Sequence, residues 1–423
     1  MIVTIASSSA KRLRLAATIA TATLAAAGSP NAFAQTAPGS SPPAIVTQNQ
    51  LPLGPQEPQS NPPGEGSLQQ RYVNNADVDS FIDDMVARYD FDPAALHALF
   101  ASAEYSATAV KLVMPAPTPA VRNWLVYQSR FLDPVRINAG VKFWNDNRAA
   151  LERAYEQYGV PPEIIVGIIG VETMYGRYMG NFRVLDALTT LAFDYPNTPN
   201  RAEREMTFRK NLEDYLVWTR NAQLDPTSVL GSYTGAIGIP QFLPSSIVQY
   251  AVDYEGNSHI DLRASPADAI GSVAHYLSEN GWSTGRPIVW KIEHDAGSLG
   301  IAQAAADGRP EPHWPLSQML QAGLVLDEQN LDTSAEGSTP VLVIDLPSPG
   351  EPTDYMLGLQ NFYVLTRYNR SFFYALAVYE LGERVKASMP AETVSTQAGS
   401  TPAPSPAFMP APATRPAPNP ASQ

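Results

Sequence analysis

One carboxylate in an apolar helix is the residue of this chain best placed to do chemistry. The stretch runs Gly159-Val-Pro-Pro-Glu-Ile-Ile-Val-Gly-Ile-Ile-Gly-Val-Glu-Thr-Met-Tyr-Gly176. Pro161 and Pro162 suit the start of a helix, where a missing N–H costs nothing, and Gly176 suits its end. Glu163 falls in the first turn, where a negative charge favours the helix dipole. Glu172 falls elsewhere, on a stripe with Ile165, Ile168 and Ile169 that should face the core. At about 100° per residue the two glutamates lie on opposite faces. Burial penalises the charged form of a carboxylate and raises its pKa, so Glu172 is a candidate to hold a proton near neutral pH and give it to a leaving group. Position alone also allows a bland outcome, since glutamate is a good helix former and near a helix end it can bend out into solvent.

The elements that would hold this group are mostly helical. Phe81, Ile82, Met85, Val86 and Tyr89 form a helical stripe, and Asp92-Pro93 reads as a cap followed by proline at the first helical position. Asp133-Pro134 opens a long helix running to Tyr158, with Trp124, Tyr127, Phe131 and Trp144 as core aromatics along this region. Further helices are expected over 184–193 and 200–222, and from a capping box at Ser265-Pro-Ala-Asp268 to just before Gly281. Between them, Gly231-Ser-Tyr-Thr-Gly-Ala-Ile-Gly-Ile-Pro-Gln-Phe-Leu-Pro-Ser-Ser246 is a loop whose glycines and prolines force tight turns and close approach. From Trp282 the pattern changes: 287–293 and 340–345 read as strands, with a short helical stretch over 315–321. Helical patterning resumes at Asn361 and continues through Leu381.

Composition narrows the partners. The chain has 28 basic and 41 acidic residues, net -13, which argues against a phosphate backbone, whose binding is driven by Lys and Arg. It has no cysteine, so disulfides, thiolate metal sites, thiol nucleophiles and a lipid-acceptor cysteine are excluded. Lys11, Arg12 and Arg14, the apolar run 15–27 and Ala32-Phe33-Ala34 have the three parts of a secretory signal, and the run falls short of the ~20 residues that span a bilayer. The expected order is a signal peptide (1–34), a Pro-rich linker (35–71), a helical catalytic region (72–281), a small β-containing insertion (282–359), a return to the core (360–388) and a Pro/Ala-rich tail (389–423). Linker and tail hold too few large apolar residues to fold.

Three segments together resemble the lytic murein transglycosylase B family: the Gly-Val-Glu-Thr-x-Tyr-Gly stretch, the glycine-rich loop at 231–246, and Asn361-Phe-Tyr-Val-Leu-Thr-Arg-Tyr-Asn369. The resemblance covers roughly residues 77–382. It implies an α+β, predominantly helical fold with a lysozyme-like core, and Glu172 as acid and then base. It further implies glycan contacts from Ser232, Gln241, Tyr127, Tyr276, Tyr368, Tyr374, Asn369 and Phe242. The 19 tyrosines against 14 phenylalanines agree with a cleft of flat rings carrying polar handles. The implied reaction cuts the β-1,4 bond between N-acetylmuramic acid and N-acetylglucosamine without water, leaving a 1,6-anhydro end. The implied partner is the peptidoglycan strand, the place the periplasm, and no cofactor is required. A structural Ca²⁺ is implied at Asp253, Glu255, Asn257, His259 and Asp268, in a loop resembling an EF-hand; there Ser258 replaces the turn glycine and Ala264 the closing acid. Two other classes stay open: a hydrolytic muramidase taking a second carboxylate from Asp186 or Asp194, and a wall-binding protein without catalysis.

Overall fold

The structure, a computed structural model, describes residues 70–116, 121–327 and 336–390. The expected signal peptide, nearly all of the linker and most of the tail lie outside the described residues. Side-chain caps set most helix starts, giving otherwise unpaired N–H groups an acceptor. Asn75 caps α1 (Ala76–Tyr89), Asp92 caps α2 (Pro93–Ala101), Ser106 caps α3 (Ala107–Val113), Asn123 caps α4 (Trp124–Ser129) and Asp133 caps α5 (Pro134–Asp146). The long helix expected from Asp133 to Tyr158 is two. Asn147 leaves helical geometry (φ -121°) and its Nδ2 donates back to Phe143 O, so the chain restarts as α6 (Arg148–Tyr158). Ordered packing also begins before Asp77: Arg71 pairs with Asp194 and Tyr72 is buried.

Helix α7 (Pro162–Thr173) carries Glu172 through the middle of the core. Residues Ile164 to Val171 are buried all round, not on one stripe. That is the pattern of a central helix. After it come β1 (Phe182–Arg183), α8 (Val184–Phe193), α9 (Arg201–Asn221), β2 (Leu230–Gly231), α10 (Pro244–Tyr250) and α11 (Pro266–Glu279), with β1 and β2 paired antiparallel. The insertion holds β3 (Val289–Lys291), α12 (Ala296–Ala305), β4 (Trp314–Pro315), α13 (Leu316–Gln321), β5 (Pro340–Leu346) and β6 (Asp354–Gly358), and α14 (Gln360–Tyr368) and α15 (Phe372–Ala387) return to the core. The four strands form an antiparallel sheet in the order β3-β6-β5-β4, with Val343 opposite Leu357 and Leu357 opposite Trp290. Along β5, Leu342, Ile344 and Leu346 face the main core while Val341 and Val343 join a second core with Trp290, Leu316, Met319 and Leu357. Successive side chains of a strand point to opposite faces, so this run is apolar throughout because both faces are covered.

The principal partner of α7 is α15, running antiparallel to it. A Cβ on Gly167 would collide with Val378 O, and one on Gly382 with Glu163 O. Glycine at these two positions lets the backbones approach closely. Lys386 closes one end of the pair on Glu163 at 2.7 Å, and Tyr374 closes the other on Glu172.

Candidate active site

Glu172 lies in the last turn of α7 and is half-buried. Its surroundings strip enough solvent from the carboxyl to raise its pKa to about 7. Opposing that, Tyr374 donates its O–H to Oε1 at 2.6 Å and favours the charged form. Burial wins, as desolvation does for a carboxyl with one donor. Among the described residues no neighbouring carboxylate contributes to the shift. Tyr127 stands close by: burial first, and Glu172's charge second, push its phenol well above the ordinary range. It is held by Trp124, Phe131 and Phe373, with ring centroids 6.3, 5.2 and 5.5 Å away.

The helix does not stop at Gly176. Met174 already turns left-handed (φ 50°), followed by Tyr175 (φ 61°) and Gly176 (φ 84°). The glycine-rich loop lies against this turn. Ile237 and Phe242 exchange both backbone hydrogen bonds around Gly238 (φ 76°) and Gln241 (φ 51°). Gln241 Nε2 donates to Gly238 O and to Met179 O. Ser232 Oγ accepts from the amides of Thr234 and Ala236, so its hydroxyl shapes the loop.

The remaining expected residues form a layered aromatic wall. Tyr374 stacks on Tyr368 (6.4 Å, 12°), and Tyr368 meets Tyr276 edge-on at 4.9 Å. The hydroxyls of Tyr368 and Tyr276 are spent on Pro240 O and Arg367 O. Phe242 lies beneath both, 0% exposed. It offers no surface to a glycan and is corrected from contact residue to floor. Asn369 is buried with Oδ1 unpartnered. Two groups escaped sequence reasoning: Thr173, and Arg136, whose Nη1 donates to Gly170 O at 2.5 Å. The signal for Arg136 was there, since Arg136, Gly140, Phe143 and Trp144 make the buried stripe of α5.

The carboxylates that a hydrolytic reading needs are engaged elsewhere. Asp186 accepts from Arg183 and from the amide of Glu104, and Asp194 from Arg71.

In the expected calcium loop the oxygen donors are held in place by hydrogen bonds from the loop itself. Asp253 accepts from the amides of Gly256, Asn257 and Ser258, and Glu255 from Asn257 Nδ2 and Ser265 Oγ. Asn257 Oδ1 accepts from the amide of His259. Asp268, 0% exposed, accepts from Tyr254, Glu255 and Asp261. Among the described residues no group of three or more His, Cys, Asp or Glu side chains is placed to hold a metal. The capping box is half made for the same reason: Ser265 caps the amide of Asp268, whose own carboxylate turns to the loop.

The family model described as Transglycosylase SLT domain matches residues 74–383. The chain belongs to this SLT transglycosylase family. It is 42% identical over 325 residues to the membrane-bound lytic murein transglycosylase B of Escherichia coli K12, covering 74% of this chain and 84% of that one. The soluble lytic transglycosylase SltB1 of Pseudomonas aeruginosa superposes with a TM-score of 0.66 at 40% identity, over 74% of this chain and 98% of that one. Escherichia coli Slt35, solved in complex with calcium, does so with a TM-score of 0.64 at 38% identity, over 78% and 98%. The SLT transglycosylase described above is therefore a lytic murein transglycosylase with the mostly helical, lysozyme-like fold of its relatives. Among the described residues no helix is long and apolar enough to cross a membrane.

Proposed function

We propose that Glu172 performs both proton transfers in a cleavage that uses no water. In the first half, the Glu172 carboxyl gives its proton to the glycosidic oxygen as the bond from C1 of N-acetylmuramic acid breaks, releasing the 4-hydroxyl of N-acetylglucosamine. In the second, the sugar's own 6-hydroxyl attacks C1 and the Glu172 carboxylate takes its proton, closing a 1,6-anhydro ring and restoring the acid. The observation that carries this reading is the isolated, raised carboxyl of Glu172. A hydrolase of the ordinary kind sets a second carboxylate across the bond as nucleophile or base, and Asp186 and Asp194 are paired elsewhere.

The wall supplies the rest. Tyr374 holds Oε1 so that the other oxygen can face the glycan, and Tyr127 is placed to flank the sugar. Ser232 and Gln241 shape the loop that closes the site. The basic, apolar and A-x-A segments at 11–34 and a peptidoglycan substrate both favour the periplasm as the enzyme's place.

The test is Glu172→Gln on purified peptidoglycan. The amide keeps the shape and cannot transfer the proton, so the variant should fold and bind glycan while turnover falls by roughly 10²- to 10⁴-fold or more. Glu163→Gln, which breaks only the ion pair to Lys386, should leave turnover near wild type. Full activity in Glu172→Gln would overturn the assignment.

A further inference from the structure

Three successive left-handed residues, Met174, Tyr175 and Gly176, follow the acid's helix. Residues with a Cβ adopt that conformation only at a cost, so the turn is held by what surrounds it. Glu172 sits just inside it, and the aim of its carboxyl depends on the turn staying put.

The contacts converge on Thr173, 1% exposed. Its Oγ1–H donates to Ile239 O at 2.8 Å, and the same oxygen accepts the N–H of Gly176 at 2.9 Å. Ile239 belongs to the glycine-rich loop, which also reaches back through Gln241 Nε2 to Met179 O at 3.2 Å. From the other side Arg136 braces Gly170 O, which already accepts the amide of Met174. The single hydroxyl proton of Thr173 is committed to a carbonyl, so the group cannot exchange a proton with a sugar.

We propose that Thr173 is a positioning residue for the reaction: its hydroxyl bolts the last turn of α7 to the glycine-rich loop and so aims Glu172 at the glycosidic oxygen. This rests on the acid-then-base reading of Glu172. A small misplacement of a reacting group can cost two orders of magnitude in rate, and a loosened turn also lets water reach the carboxyl, lessening its desolvation.

Thr173→Val preserves shape and removes both bonds; Thr173→Ser keeps both. On soluble glycan strands the valine variant should lose about 10- to 100-fold in kcat with KM changed less than about twofold, and serine should recover kcat to within about threefold of wild type. In the valine variant the basic limb of the kcat/KM profile should also move to lower pH. Loss of fold alone would lower the apparent kcat without moving the pH limb, and circular dichroism with the melting temperature checks for it. If valine does not fold, Thr173→Ala removes the same bonds without a second methyl and carries the same expectation. Wild-type kcat and pH profile in the folded valine or alanine variant would overturn the proposal, as would serine performing no better than valine. Wild-type products without anhydro ends would instead sink the reading of Glu172, whatever the Thr173 variants do.

Discussion

Glu172 binds its proton more tightly in the folded chain than its ordinary value of 4.5 allows, because burial raises the folded value to about 7. Between those values the folded state holds more proton than the unfolded one, so stability falls as pH rises from about 4.5 to about 7 and is level above. The loss is at most about 3 kcal/mol, less because the residue is only partly buried. Glu172→Gln should therefore melt higher than wild type at pH 8, with the difference closing near pH 4. A lower melting temperature at pH 8 would contradict this. Activity needs the protonated acid first, so kcat/KM should fall as pH rises through about 7. Tyr374→Phe removes the donor that favours the carboxylate, so this limb should move to higher pH, opposite to the shift expected for Thr173→Val. A profile unchanged in Tyr374→Phe would show that the bond does not tune the acid. The sequence singled out Glu172 because it stands in an apolar run. It could not supply the phenol of Tyr374, which comes from 202 residues away.

Local chemistry explains which elements were legible. The helix expected over 184–193 has those bounds, and the caps at Asp92 and Asp133 act as read, while Ser265 makes half of its box. The break at Asn147 was missed because its side chain competes for the helix's own carbonyl, which periodicity does not register. The close pairing of α7 with α15 was not legible at all, since glycine in a helix reads as a weak former until its neighbour is known. Gly167→Ala or Gly382→Ala should each destabilise by about 1–3 kcal/mol, the usual cost of overpacking, and lower turnover by displacing Tyr374 from Glu172. Unaltered melting and turnover would contradict that packing. At the loop 253–261, Asp268→Ala strands three amide donors and should lower the melting temperature, and adding Ca²⁺ to the wild type tests the expected cation there. A ligand that binds only the folded state must raise that temperature, so a clear rise with Ca²⁺ would support the cation and an unchanged melting temperature would remove it.

Across the whole molecule, the sequence showed a helical core interrupted by a β-containing insertion because the apolar period changes after Trp282, and the strands at 289–291 and 340–346 lie where β-branched runs occur. It could not show that β5 is buried on both faces and joins two cores, since strand order is set by pairings distant in sequence. The central claim, that one carboxylate serves as acid and base while the sugar supplies its own nucleophile, concerns what becomes of C1. Digesting purified peptidoglycan in water enriched in heavy oxygen and weighing the fragments answers it. Fragments ending in 1,6-anhydro-muramic acid, lighter than the hydrolysed product by one water and free of the label, are the predicted result; reducing ends carrying the heavy oxygen would contradict it.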